Sequence, residues 1–410
     1  MLKSGGAVIL MQQNFPNLKV IYSGCDSFEE MKQLPVKHIF DIEVCSFLDN
    51  LSHKIREDLE CRNYPDIITF GFFCRKANIE RLKKEYYEEN RIGRGLSFHI
   101  APSNVPINFA YTMIDGLLAG NSCIVRTSSK DFVQTNILCR IIKEVFAESD
   151  SNVKKYIAIV QYGREKEIND YFSSLSDIRV IWGGDTTIQE IRKCPIPTRC
   201  VELTFADRYS LCVLDAVAIL NIKEWKITAQ NFYNDTYLYD QNACSSPRLM
   251  YWLGNQADCE SAQEVFWQEI HKYICTKYNI EPIIAVDKLT MDYRIAMDIE
   301  NAKVNIGKDN LIHRIQITKL PDDIRKYECP GGSFLEYCSD NLNELSHIIT
   351  KKFQTLSYIG DISESLNKWV IKNGFSGIDR IVPIGKTSDM TLTWDGYNLI
   401  DTMSRKIYCL

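Results

Sequence analysis

The sequence predicts an α/β fold, with parallel sheets covered by helices on both faces and enough chain for two domains. Three observations predict it. Short apolar runs alternate with helix-period segments from residue 94 onward, the pattern of βαβ units. Distinctive polar or glycine-bearing turns follow several of the runs, where such sheets bind ligands. The composition, 45% hydrophobic and 25% charged over 410 residues, is that of a soluble globular chain too long for one simple core.

The elements follow in order. Residues 1–90 form a mixed N-terminal segment with helices expected over 47–59 and 79–90. From Arg94 the alternation is regular. Strands at 96–100, 123–125, 156–161, 178–182 and 211–214 are separated by helices at 105–119, 132–146, 165–175 and 186–193. Residues 91–220 are therefore assigned to one α/β domain. A second alternation spans 221–385. Helices are expected at 224–239, 262–278, 342–353 and 363–371, and strands at 249–253, 283–286, 311–317 and 355–359. The tail from Gly377 is turn-rich, and residues 386–410 close the chain as a C-terminal segment around Trp394-Asp395-Gly396-Tyr397.

Composition excludes several function classes. The formal net charge is −5 without a long basic block, which argues against nucleic acid as a partner. No run approaches 18 apolar residues, so no integral membrane segment is expected. The N-terminal run Ala7-Val8-Ile9-Leu10-Met11 is too short for a secretory leader. Fifteen cysteines are scattered without a Cys-x-x-Cys pair. The six histidines make no ligand pair at helical spacing, and Cys194 and Cys200 have nothing nearby to complete a metal site. A reducing cytoplasm and no metal are expected.

Four turns carry candidate chemistry. In Ala101-Pro102-Ser103-Asn104-Val105-Pro106 a strand turns into a helix. Pro106 is tolerated near the first helical turn, and Asn104 either caps the helix or offers its amide to an oxyanion. In Arg126-Thr127-Ser128-Ser129-Lys130 a strand ends in cations and hydroxyls, either a ribose or phosphate site or an ordinary surface turn. Trp182-Gly183-Gly184-Asp185 puts two glycines at a strand-to-helix junction, where backbone N–H groups favour a phosphate. Gln241-Asn242-Ala243-Cys244-Ser245-Ser246-Pro247-Arg248 presents a thiol among polar residues. Most cysteines act as small buried hydrophobes, and Cys123, Cys139, Cys212 and Cys275 lie in apolar periodic runs. Cys244 does not. Backbone dipoles and Arg248 can lower its pKa, as a nucleophile requires.

These segments resemble the aldehyde dehydrogenase superfamily, and more closely its acyl-CoA reductase branch, which includes the fatty-acid reductase of bacterial luminescence. Residues 95–106 are similar to a Pro-x-Asn-x-Pro turn, and 119–129 to a Gly-Asn-x-x-x-x-Lys-Pro-Ser-Glu strand and turn. Residues 241–248 are similar to the nucleophile loop Gln-x-Cys-x-x-x-Arg. Ile378-Asp379-Arg380-Ile381-Val382-Pro383-Ile384-Gly385, with Trp394-Asp395-Gly396-Tyr397, is similar to the reductase branch alone. The resemblance runs from about residue 90 to residue 400.

The resemblance implies an aldehyde dehydrogenase-like fold of two doubly wound domains with the active site in the cleft between them. It makes 91–220 the nucleotide-binding domain, with 1–90 packed on it, and 221–385 the catalytic domain. It implies that Cys244 takes the acyl group as a thioester and that Asn104 and the Cys244 N–H form the oxyanion hole. Ser103, Arg126, Ser128, Ser129, Lys130, Gly183 and Gly184 would hold the nucleotide. Where the superfamily often has an acid for the adenosine ribose, this chain has Ser129 and then Lys130. That favours a 2′-phosphate, hence NADPH, with NADH as the alternative. Oxidising members carry a glutamate general base in Glu-Leu-Gly-Gly. Here Val201-Glu202-Leu203-Thr204 places either Glu202 or Thr204 at that position, and the second suits a reductase, because activated water would destroy the thioester. The acidic turn at the nicotinamide ribose is sought at Phe334-Leu335-Glu336.

The implied activity is NADPH-dependent reduction of a fatty acyl thioester to the aldehyde. The donor would be acyl-CoA or an acylated partner protein such as an acyl transferase or synthetase. The superfamily's oligomerisation hairpin is not evident, which leaves the association state open, a homo-oligomer included. The rival readings are an oxidative aldehyde dehydrogenase, a cysteine acyltransferase or thioesterase without a redox step, and a non-enzymatic acyl carrier on the same fold.

Overall fold

In the computed structural model, which describes residues 15–410, the chain divides into two compact units. The first holds Met1–Ala206 and Met390–Leu410, the second Asp207–Asp389. The boundary expected after residue 220 thus falls at 206/207. Only Ala206, Asp207 and Arg208 separate the last strand of one unit from the first strand of the next. The apolar run at 211–214 reads like one more strand of the preceding alternation, and no glycine or proline marks the junction. The apolar run at 7–11 lies outside the described residues.

The first unit contains β1 (Lys19–Ser23), β2 (Arg91–Gly93), β3 (Leu96–Ile100), β4 (Ser122–Thr127), β5 (Ile157–Gln161), β6 (Ile178–Trp182) and β7 (Val201–Phe205). Its six-stranded sheet has the order β1-β5-β4-β3-β6-β7. All pairs are parallel except the β1–β5 edge. The inner strands β3–β6 are buried on both faces, as a doubly wound sheet requires. Cys123, Val125, Ile157 and Val180 join the core under the helices Asn108–Leu118 and Val133–Ala147. Leu96, Phe98, Ile124 and Val160 join the opposite core, under Lys166–Leu175 and Asp185–Arg192. The helix Asn108–Leu118 packs closely through Gly116, where an added Cβ would stand 2.7 Å from Cys123 Sγ and 2.9 Å from His99 Nε2. His99 is buried between Thr112 Oγ1 (2.7 Å) and Ser97 Oγ (2.8 Å).

The second unit contains β8 (Tyr209–Asp215), β9 (Pro247–Leu253), β10 (Lys303–Ile306), β11 (His313–Gln316), β12 (Ser333–Ser339), β13 (Phe353–Ile359) and β14 (Arg380–Pro383). The order is β10-β11-β12-β9-β8-β13-β14, with only the β10 edge antiparallel. Leu211, Val213, Leu249 and Tyr251 face one core, and Cys212, Leu214, Met250 and Trp252 face the other. Five strands of each sheet, β3–β7 in the first and β8, β9, β12, β13 and β14 in the second, share one winding: two strands added on one side of the first, then two on the other.

Two expected elements differ. Residues 283–286 belong to the helix Pro282–Asp298. Pro282 sits at its first turn, where a missing N–H costs nothing, and a four-residue apolar run does not distinguish strand from helix. The helix expected over 342–353 shrinks to the 3₁₀ turn Leu342–Leu345. Leu345, Ile348 and Ile349 reach the core without helical backbone, and Phe353 opens β13. Strands β1, β2, β7, β10, β12 and β14 have no counterpart in the expectation.

The tail returns to the first unit. The two-residue strands β15 (Thr393–Trp394) and β16 (Tyr397–Asn398) form a hairpin. Asp395 and Gly396 both have positive φ, 48° and 75°, the Asp-Gly turn suited to a two-residue loop. After the short helix Leu399–Met403, β17 (Ser404–Lys406) pairs with β2. No helix among the described residues is long and apolar enough to cross a membrane.

Candidate active site

Cys244 is exposed, on a loop built to hold one shape. The loop leaves the helix Trp225–Thr236 through a 3₁₀ turn and two left-handed residues, Asp240 (φ 51°) and Gln241 (φ 59°). Left-handed backbone at two non-glycine positions costs energy and persists only where the surroundings impose it. Gln241 supplies that constraint. Its fully buried amide accepts from Gly332 N (3.0 Å) and Ser333 N (3.2 Å), and donates to Pro247 O (2.9 Å) and Ser333 O (3.2 Å). All of its hydrogen-bonding capacity is spent on backbone. Ser210 Oγ donates to the Cys244 carbonyl at 2.6 Å, and Ser246 N to Ala243 O at 3.0 Å.

Arg248, expected as a cation near the thiol, is bound to the backbone of the loop. Its guanidinium donates to Gln241 O (2.7 Å) and Cys329 O (3.3 Å) and pairs with Glu328 at 3.7 Å. It builds the loop. Cys244 is thus presented, exposed, on a fixed backbone. Burial pushes the thiols of Cys123, Cys139 and Cys212 up to about 12, which makes them inert. Cys275, expected among the buried cysteines, is exposed at the end of the helix Gln256–Ile274.

The loop precedes β9, so Cys244 lies at the amino edge of its sheet. The first unit, taken by itself, carries its distinctive turns at the carboxyl edge. Its winding reverses between β3 and β6, and the turns after these strands flank the crevice where doubly wound sheets take nucleotides. Ser103 and Asn104 are exposed in the turn after β3. The following helix begins only at Asn108, with Ile107 at its N-cap and no side-chain cap, so Asn104 stands four residues ahead of it. After β6, Gly183 N donates to Phe205 O (3.1 Å), and Gly184 is the N-cap of Asp185–Arg192 without a side-chain cap.

The turn after β4 divides the expected nucleotide contacts. Arg126 is drawn inward: its Nε and Nη2 donate to Tyr162 O at 3.4 and 3.3 Å, Nη2 also donates to Gly163 O, and the guanidinium lies 4.8 Å from the Tyr162 ring centre. Ser128 is buried, and its hydroxyl accepts from Lys130 N (3.1 Å). Ser129 and Lys130 are exposed. Asp131, next in the chain, accepts from Asn136 at 2.7 Å. The surface therefore offers a hydroxyl and an ammonium, and the guanidinium is committed elsewhere.

Two expected acidic residues are structural. Glu202 occupies the amino end of β7, away from the nucleotide edge. It pairs with buried Arg179 and, at 2.7 Å, with Arg192. Burial alone would raise its pKa, but hydrogen bonds and charge from Arg192 and Arg179 hold the carboxyl below the usual range. A carboxylate so held does not act as a general base. Thr204, the alternative at that position, lies near the carboxyl end of β7. Glu336 is not in an exposed turn. It is buried in β12, bonded to Trp252 Nε1 (3.1 Å), Trp267 Nε1 (2.6 Å) and Arg314 Nε (2.9 Å).

The 378–385 segment also holds its own structure. Asp379 pairs with Arg208. Arg380 donates to Lys386 O, Thr387 O and Asp389 O. Asp235, unmarked by any sequence pattern, is buried, and burial pushes its carboxyl up to about 6. It accepts from Gly385 N (2.6 Å) and Thr387 N (3.1 Å). The one sequence signal for the turn gripping Gln241 was the pair Gly331-Gly332. Among the described residues no group of three or more His, Cys, Asp or Glu is placed to hold a metal.

Comparison with known proteins adds a family and a fold. The family model for acyl-CoA reductase (LuxC) matches residues 76–281, half of the chain. A long-chain acyl-protein thioester reductase of Aliivibrio fischeri is 27% identical over 164 residues, 40% of this chain and 33% of that protein. A long-chain acyl-protein thioester reductase 2 of Photobacterium leiognathi is 26% identical over 191 residues, 46% of this chain and 37% of that protein. The chain thus spans about a third of the length of these relatives. Lactaldehyde dehydrogenase from Escherichia coli superposes with a TM-score of 0.64 at 13% identity, over 93% of this chain and 88% of that one. An indole-3-acetaldehyde dehydrogenase complexed with NAD+ gives 0.65 at 10% identity, over 89% and 82%. The fold is that of the aldehyde dehydrogenases.

Proposed function

The chain belongs to the acyl-CoA reductase (LuxC) family, and from that membership we propose that it reduces a long-chain fatty acyl thioester to the aldehyde through a covalent acyl–Cys244 intermediate. The observation that carries the reading is the exposed thiol of Cys244 on a loop fixed by Gln241 and Arg248, inside the matched span. The relatives are named for acyl-protein thioesters. The proposed donor is accordingly an acylated partner protein or acyl-CoA.

Each residue has a stated task. The Cys244 thiolate attacks the carbonyl carbon of the donor thioester. The donor's thiolate leaves with the electron pair of the broken C–S bond, and the acyl group is held on Sγ. The fixed backbone reduces the reorganisation needed to reach that geometry. The Asn104 amide and the Cys244 N–H are assigned to the oxyanion. Cys244 is regenerated when the aldehyde departs.

The first unit fits a nicotinamide nucleotide. The Gly183-Gly184 turn faces phosphates with the N-terminus of the helix that follows. Ser103, Ser128, Ser129 and Lys130 line the neighbouring turns, and a hydroxyl and an ammonium with no acid at the Ser129 position favour NADPH over NADH. Such a cofactor, when bound, supplies hydride to the acyl carbon. With Glu202 held by two guanidinium groups, no base at that position activates water. That favours reduction over hydrolysis and removes the support for an oxidative dehydrogenase.

The test is incubation with a radiolabelled long-chain acyl-CoA, with and without NADPH. Label is expected on the protein without NADPH and in aldehyde with it. Cys244→Ser should abolish both, with loss of at least about a thousandfold in aldehyde formation. Aldehyde formation by Cys244→Ser at the native rate would refute the covalent route, and acyl labelling with no aldehyde under any nucleotide would indicate a transferase.

A further inference from the structure

The helix Pro282–Asp298 turns Ile283, Val286, Tyr293 and Met297 to solvent and buries a lysine. Lysine usually leads its ammonium back to water. Lys288 is fully buried, and its Nζ meets three backbone carbonyls: Asn310 O at 2.7 Å, Gly331 O at 2.7 Å and Gly332 O at 3.4 Å. Three donors meet three acceptors.

Two of these carbonyls belong to a turn that only glycine can make. Gly331 and Gly332 have φ of 72° and 85°. An added Cβ would stand 2.3 Å from Ile284 at the first and 2.4 Å from Leu311 O and Tyr237 Oη at the second. The N–H groups of the same turn serve the nucleophile loop. Gly331 N donates to Asp240 O (2.9 Å), and Gly332 N and Ser333 N donate to Gln241 Oε1. The carbonyls of one turn are gathered by Lys288, and its N–H groups hold the residue three positions before Cys244.

We propose that Lys288 is a positioning residue for Cys244: its ammonium fixes the Gly331-Gly332 turn, and the turn fixes, through Gln241, the loop that presents the thiol. The inference rests on the reading of Cys244 as nucleophile. The charged groups around the ammonium are few. Asp292, on the same helix, pairs with His313 Nδ1 at 2.8 Å. Asp309, ahead of β11, pairs with His271 at 2.6 Å. Cys329 approaches from the loop before β12, and the Tyr278 hydroxyl donates to Asp240 at 2.7 Å. Burial pushes Lys288 down to about 8, against the opposing pull of Cys329, Asp292 and Asp309. Above that pH the clamp loses a proton and its charge, and its hold on the three carbonyls slackens.

The experiment measures alkylation of the full chain by iodoacetamide from pH 6 to 9.5, with each cysteine followed by peptide mass spectrometry. Exposed Cys275 and Cys409 are internal references. The Cys244 rate should rise with thiolate fraction and then fall with a midpoint near pH 8, a bell-shaped profile, while Cys275 rises to a plateau. Lys288→Met should slow Cys244 at pH 7 at least fivefold, abolish the falling limb and leave Cys275 unchanged. A Cys244 profile parallel to that of Cys275, or native Cys244 reactivity in Lys288→Met, overturns the proposal. If alkylation of buried Cys212 shows that Lys288→Met does not fold, the native profile decides alone. Iodoacetamide needs neither acyl donor nor nucleotide. A failure of acyl reduction with the bell intact therefore counts against the proposed function only, and a lost bell with acyl reduction intact counts against Lys288 only.

Discussion

Lys130 and Ser129 stand exposed at the end of β4, and the proposed preference for NADPH depends on them. An ammonium facing a phosphate contributes a charge-assisted contact, and about 1.4 kcal/mol corresponds to tenfold in affinity. Lys130→Glu is therefore expected to raise the KM for NADPH at least about tenfold and that for NADH less than about threefold. Steady-state kinetics with both nucleotides checks this, and equal changes would remove the case for a 2′-phosphate. Four other residues at this scale show how far a sequence reaches. Cys244 was legible because its flanks are polar while most cysteines sit in apolar runs. Arg126 and Arg248 were legible as cations, but a sequence does not give the direction of a guanidinium. Both turn toward backbone carbonyls. Glu202, one of two candidates for the base position, was legible as an acid, but its two arginine partners come from residues 10 and 23 positions away.

At the scale of elements, the left-handed glycines separate strain from crowding. Gly374 ends the helix Ser363–Asn373 at φ 62° with nothing within 4 Å of an added Cβ. Gly374→Ala should cost only the left-handed penalty, about 1 kcal/mol. Gly332→Ala adds a collision with Leu311 O, which is backbone. Its cost should exceed about 3 kcal/mol, or roughly 6–12 °C in melting temperature for a unit of this size. Calorimetry on the two variants checks the ordering, and equal shifts would mean that the Gly331-Gly332 turn is not tightly held. Two elements of the second unit were hard to foresee. Residues 283–286 and 342–353 carry apolar patterns that suit either a strand or a helix, and the burial of Ile284, Ile348 and Ile349 is met by whichever backbone the neighbours permit.

At the scale of the molecule, single buried groups couple stability to acid with opposite signs. Burial holds His99, in the first unit, down at about 3 against an ordinary 6.5. The unfolded chain binds a proton below 6.5 that the folded unit refuses. This contribution is whole above pH 6.5 and is lost as pH falls, by roughly 3 kcal/mol at pH 4. Asp235, in the second unit, is raised from 3.8 to about 6. Its contribution has the other sign: present below 3.8, it is lost as pH rises through 6. Buried Asp115, raised well above its ordinary range, and buried Asp66, also raised, act against His99 within the first unit. The His99 contribution is therefore isolated by comparing the native chain with His99→Gln. Peptide-resolved hydrogen exchange from pH 6.5 to 4 should show protection of the first unit falling less in the variant, and an identical fall in both would count against it.

The sequence by itself determined the α/β class, most strands and helices of the first unit, the thiol of Cys244 and the turns after β3, β4 and β6. These are local: periodicity, glycine pairs and polar flanks act within a few residues. The tertiary structure alone decided that 207–215 opens the second unit and that residues 390–410 return to the first. It also decided that Cys244 lies on the amino edge of its sheet, and that Gln241, Gly331-Gly332 and Lys288 form one support. Those facts depend on groups separated by 40 to 90 residues or more. A buried donor is satisfied by whichever carbonyl folding brings within 3 Å, and no local pattern records which one that is.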